Sequence, residues 1–70
     1  MRTWKRENYT VEEREFDYSL HCFAVVQDDK EDQIITPGSI KEMNSIIKFL
    51  DDGEGVDGWE DGQGNTIYTD

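Results

Sequence analysis

One cysteine, one histidine and one proline are all that 70 residues contain of three residue types that staple, ligate or kink a chain. Cys22 alone excludes an intramolecular disulfide, and with His21 as the sole histidine no Cys/His zinc site can be assembled. A solitary thiol within an apolar run fits a reducing compartment, so the expected location is the cytoplasm. Long apolar runs are missing as well. The longest, Cys22 to Val26, is far shorter than a membrane span or the core of a secretory signal. Bases are scarce: seven Lys plus Arg stand against seventeen Asp plus Glu, a net charge of −10. Binding nucleic acid directly through its phosphates is thereby excluded, because that affinity comes from Lys and Arg releasing counterions. Attraction to anionic membranes is excluded on the same ground.

What remains is a short acidic chain, 34% hydrophobic, in which Leu, Ile, Val and Phe make up 15 of 70 residues. That share is barely above the roughly one-fifth below which charged chains stay disordered. Residues 1–70 are therefore read as a single small domain, burying only about 60% of the surface its unfolded form exposes.

The hydrophobic pattern divides the chain. Met1 to Glu13 is polar, with Trp4, Tyr9 and Val11 as contacts, and is read as a short edge strand or a loose arm. From Glu15 the pattern alternates, placing Phe16, Tyr18, Leu20, Cys22, Ala24 and Val26 on one side until Phe23 and Val25 make it apolar on both. Period two means strand. The change at Phe23 implies either one strand entering the centre of a sheet or a bulge or turn near Ser19 that splits the run in two. Asp28 to Asp32 reads as a hairpin loop and Gln33 to Thr36 as the returning strand.

Pro37 and Gly38 stop that strand, and Ser39 with Glu42 has the spacing of a capping box. Ile40, Met43, Ile47 and Leu50, with Ile46 beside them, form one helical face over about residues 39–52, and Gly53 follows as a left-handed cap. Residues 53–65 are an acidic, Gly-rich loop or a terminal hairpin whose arms carry Trp59 and Ile67. The fold class is α+β: a small antiparallel sheet of three to five short strands with one helix packed on one face. The helix stripe and the face bearing Phe16, Tyr18, Leu20, Cys22, Ala24 and Val26 are expected to cover each other, leaving the second sheet face open.

Catalysis has no foothold in this pattern. His21 and Cys22 are neighbours in a strand and point to opposite faces, so they make no thiolate pair. Ser39 is used as a cap, Ser19 and Ser45 lack a suggestively placed histidine, and a cleft for paired carboxylates is hard to build at this size. The chain is read as a non-enzyme without cofactor. An EF-hand loop starting at Asp57 would place Gly62 correctly but Trp59 and Tyr68 at ligand positions, leaving only weak, irregular calcium binding as an alternative. The glycines Gly53, Gly55 and Gly58 do not join a strand to a helix, and their acidic neighbours would repel phosphate.

The charge is graded along the chain. Residues 51 to 70 carry seven acids and no base, whereas residues 1 to 14 carry four bases and three acids. Asp51, Asp52, Glu54, Asp57, Glu60 and Asp61, with Trp59 among them as interface anchor or core plug, form the first candidate partner-binding group. Asp28, Asp29, Glu31 and Asp32 form the second. Such density costs stability through self-repulsion and steers the chain toward a basic protein surface. Asp70 closes the acidic segment.

A small, acidic, Cys-poor domain with clusters Asp28 to Asp32 and Asp51 to Asp61 resembles, in composition, inhibitors that phages and mobile elements direct at host nucleic-acid enzymes. These include anti-CRISPR and anti-restriction proteins and uracil-DNA glycosylase inhibitor. No family motif is matched and no functional residue is carried over. The resemblance implies that carboxylates occupy a basic groove where phosphates would lie. The alternative is an intracellular interaction module of the antitoxin, immunity or adaptor type, holding one protein partner through the open sheet face or an edge strand. Edge pairing into a homodimer would also enlarge so small a core.

Overall fold

Four strands precede one helix: β1 (Thr3–Lys5), β2 (Thr10–Asp17), β3 (Leu20–Gln27), β4 (Lys30–Ile35) and α1 (Ile40–Asp51). The computed structural model describes residues 1 to 69, with Asp32 described by its backbone alone; Asp70 lies outside the described residues. The strands pair antiparallel in chain order, β1-β2-β3-β4, and α1 packs against β3, an α+β fold of the expected kind. A further bridge, Glu60 to Thr66, pairs two short pieces of the terminal segment.

The alternating run from Glu15 is split, and Tyr18-Ser19 is the turn between β2 and β3. A register shift between Glu15 and Asp17 leaves Phe16 as an extra residue in β2. The polar amino-terminal stretch supplies both the edge strand β1 and the first half of β2, with Trp4 opposite Val11. The β3–β4 loop is shorter than Asp28 to Asp32: only Asp28 and Asp29 lie outside the strands, with φ of 52° and 62°. Positive φ at both central residues is the signature of a type I′ turn, whose twist matches that of the flanking strands.

The core face differs from the expected one. The helix covers Trp4, Val11, Phe23, Val25 and Ile35, which pack with Ile46 and Leu50 and with Val56 and Ile67 from the terminal segment. Cys22 and Ala24 are buried on the opposite face, while Phe16 (53% exposed) and Tyr18 reach solvent at the β2–β3 turn. The reason is volume. Phe23 and Val25 offer the helix more apolar surface than Cys22 and Ala24, and full burial of a side chain of their kind is worth roughly 1.5–3 kcal/mol. On the helix, Ile46 and Leu50 are buried, Met43 and Ile47 half-buried, but Ile40 is 52% exposed and lies outside the core.

The ends of α1 are locally determined. Ser39 Oγ accepts from the Glu42 N–H at 3.1 Å, and the Glu42 carboxylate accepts from the Gly38 N–H, one residue before the cap. At the other end Gly53 (φ 90°) donates to the Leu50 carbonyl and Glu54 to that of Phe49, the paired bonds of a Schellman motif. Beyond it the chain returns across the sheet edge. Gly58 donates to Ile67, Ile67 to Trp59 and Asp61 to Asn65, closing residues 58–67 into a hairpin-like loop, and the Thr36 N–H donates to the Asp61 carbonyl. Gln33 of β4 clamps the backbone of Tyr68 through both amide atoms, at 2.7 and 3.1 Å.

Candidate protein-interaction surface

Each of the three arginines has a partner within the chain. Arg2 lies 3.7 Å from Asp51. Arg6 donates to the carbonyls of Leu50 and Glu54, placing a cation on the carboxyl end of α1, where the helix dipole favours it. Arg14 on β2 pairs with Glu12 and reaches across β3 to Glu31 on β4, spanning the sheet face opposite the helix. The carboxylates left without such partners are therefore the ones that define the outward field.

Several of the acids read as partner-facing are engaged by groups of the chain itself, and one of them, Asp61, is buried. Its carboxylate accepts from the Gln63 N–H at 2.7 Å and the Asn65 N–H at 3.1 Å, organising the tip of the terminal loop. The hydrogen bond from Gln63 leads in holding its carboxyl below the ordinary 3.8, outweighing the opposing effect of burial. Asp51 accepts from the Trp4 indole N–H. Asp57 accepts from the Thr69 backbone and fixes the end of the described chain. Glu31 is held by Arg14. Trp59 is half-buried, packed on the core and edge-on to Phe49 with ring centroids 5.9 Å apart.

The others face solvent with no such partner among the described residues. Asp52 caps the carboxyl end of α1, Glu54 and Glu60 flank the terminal loop, and Asp28 and Asp29 occupy the β3–β4 turn; all five are exposed. Asp32 lies in β4 and its side chain is outside the described residues. The candidate surface thus reduces to two outward groups, one at the terminal segment and one at the hairpin tip.

Sequence reasoning missed a polar pair on the helix side of the sheet. His21 Nδ1 lies 2.6 Å from Glu13 Oε2, and the Arg2 N–H donates to the other Glu13 oxygen. Burial pushes the Glu13 carboxyl up, but the His21 and Arg2 hydrogen bonds and nearby positive charge together hold it below its ordinary 4.5. His21 also donates its backbone N–H toward the Met43 sulfur at 3.3 Å, so the pair sits beside the helix. The available signal was diagonal spacing across a two-residue turn at Tyr18-Ser19, readable only once that turn is placed. Among the described residues no three His, Cys, Asp or Glu side chains cluster to hold a metal ion, and no helix is long and apolar enough to cross a membrane. No protein family, no curated protein and no solved structure matches the chain.

Proposed function

We propose that this chain is a non-enzymatic inhibitor that occupies the basic nucleic-acid-binding surface of a host enzyme, of the kind directed at CRISPR effectors or restriction enzymes. The single observation behind the reading is the sorting of charge: each arginine is used within the fold, while Asp28, Asp29, Asp52, Glu54 and Glu60 face solvent. Scale supports it. The molecule is 30 Å along its longest axis, a length over which one strand of B-form DNA carries about nine phosphates. The formal charge of −10 is of that size. A surface of this density is drawn to a basic groove by long-range attraction and competes there with phosphates. The cytoplasm, where such an enzyme works, is the compartment this reading implies.

The test is competition. A panel of purified restriction and CRISPR nucleases is assayed for DNA cleavage with the native chain and with a variant in which Asp28, Asp29, Asp52, Glu54 and Glu60 are lysine. One or more enzymes should be inhibited, the inhibition should be relieved by excess duplex DNA and by salt, and the variant should be inert while still folded. Inhibition that survives the charge reversal would overturn the reading.

A second reading, an interaction module that grips one partner by apolar contact, is favoured by Phe16 and Ile34, which stand exposed on the face away from the helix. It predicts affinity that hardly changes with salt.

A further inference from the structure

Beside the core, α1 and the terminal loop line a shallow, open groove of about 350 Å³ formed by Ile35, Ile46, Phe49 and Trp59 with Glu42 and Glu60. The helix reaches it at the margin of its core stripe. Successive helical residues turn by about 100°, so Glu42 and Phe49 lie beside Ile46 at the edge of the core stripe of Met43, Ile46, Ile47 and Leu50, while Lys41 and Lys48 fall elsewhere. Phe49 is 46% exposed although nothing in the hydrogen bonding or capping of α1 requires an aromatic there. Trp59, edge-on to it, keeps part of its ring at the surface. One Glu42 oxygen is engaged by the Gly38 N–H, and Glu60 contributes its backbone to the bridge with Thr66, leaving its carboxylate exposed.

We infer that this groove receives an arginine or lysine side chain from the basic surface of a protein partner. The occupant is set by complementarity on both counts. An aliphatic stem about four carbons long lies on Ile46 and Phe49, and its cationic head meets the Trp59 and Phe49 rings and the Glu42 and Glu60 carboxylates. A purely apolar occupant would cover part of two carboxylates without pairing the Glu60 group or the second Glu42 oxygen, and an anion would be repelled by them. The inference rests on the proposed recognition of a basic surface and adds where that surface is gripped. It changes the role of the terminal segment from a diffuse negative field to a defined, open socket lined by aromatic rings.

The experiment is a titration of isotope-labelled protein with octa-arginine, followed by backbone and indole N–H resonances at low and at moderate salt. Trp59 and Trp4 give separate indole signals, and Trp4 is buried away from the groove. Saturable shifts at Ser45, Phe49, Glu60 and the Trp59 indole are expected, with affinity reduced roughly two- to fivefold by Phe49→Ala and by the isosteric Glu60→Gln. Binding that shifts Asp28, Asp29, Asp52 or Glu54 instead, unaffected by Phe49→Ala, would overturn the socket and leave recognition of basic surfaces standing. No shift anywhere at low salt would overturn both. Unfolding of Phe49→Ala would be visible in the same spectra, and Glu60→Gln, an exposed isosteric change, then carries the test.

Discussion

Trp4 donates its indole N–H to Asp51 Oδ1 at 2.8 Å, joining edge strand β1 to the last residue of α1 across 47 positions of sequence. Arg2 lies 3.7 Å from the other oxygen, so one carboxylate ties the amino-terminal strand to the helix twice. Asp51→Ala leaves a largely buried indole N–H without its acceptor and should cost about 1–2 kcal/mol, the lower part of the range for such a loss because Asp51 is half exposed. Asp51→Asn retains an acceptor and should cost less than about 1 kcal/mol. Urea unfolding followed by tryptophan fluorescence measures both. Equal losses for the two variants would mean that charge, rather than the indole bond, is what Asp51 contributes.

Gly62 stands against the backbone carbonyl of Thr36, so close that a Cβ at this position would overlap it, and its φ of 86° is itself strained for any L side chain. The N–H of the same Thr36 donates to the Asp61 carbonyl at 2.9 Å, so the loop tip cannot back away without losing that bond. Gly64 has φ of 90° but open space around it. Gly64→Ala should therefore cost about 1–2 kcal/mol, the left-handed penalty alone, and Gly62→Ala distinctly more, with loss of the terminal loop from its place on β4. Denaturation midpoints of the pair compare the two. If they coincide, the Thr36 approach contributes nothing.

Acid should loosen the same loop. The Asp61 carboxyl titrates below its ordinary value when folded, because the Gln63 and Asn65 N–H groups stabilise its charge more than burial opposes it. A group depressed in the folded state contributes stability that is complete above its unfolded value and disappears as pH falls through the lower folded value. For Asp61 that decline begins near pH 4, and for Glu13, held down by His21 and Arg2, near pH 4.5. Relief of self-repulsion acts in the other direction as the remaining carboxylates become protonated. The separation is made by Asp61→Asn, which keeps the acceptor and removes the titration. Its stability should fall less steeply than that of the native chain below pH 4, as followed by circular dichroism across an acid series. An unchanged slope would rule out Asp61 as a source of acid sensitivity.

Elements governed by neighbours in sequence were legible. The helix was, because Ser39, Glu42, the three-and-four spacing and Gly53 all act within one or two turns. The β3–β4 hairpin was too, although its turn is two residues rather than five. The core face was not, because the alternating run crosses a turn and a bulge, and pattern alone does not say which of two apolar faces the helix will cover. Phe23, the residue that interrupts the alternation, was the signal of the answer. Nor could local pattern divide the acids. Asp51 finds its partner at Trp4, and Asp61 turns inward because Gly62 and Gly64 let the chain curl around it. Phe49, which belongs to no periodic stripe, was not singled out by the pattern, and it marks the groove.

The turn at Asp28-Asp29 offers a way to separate folding from recognition. Both residues have positive φ, a conformation that Asn followed by Gly adopts at less cost than two aspartates, and two like charges side by side repel. For the fold alone, then, the sequence is not the best available at this position. Replacing the pair by Asp28→Asn with Asp29→Gly should raise stability by about 0.5–1 kcal/mol, with β3 and β4 unchanged in register. The same change removes two of the five outward carboxylates of the proposed surface. If that surface recognises a basic groove, inhibition of a susceptible nuclease should weaken severalfold in low salt even as the denaturation midpoint rises. A variant that gains stability and keeps full inhibition would assign recognition to the terminal segment and take the hairpin out of the interface.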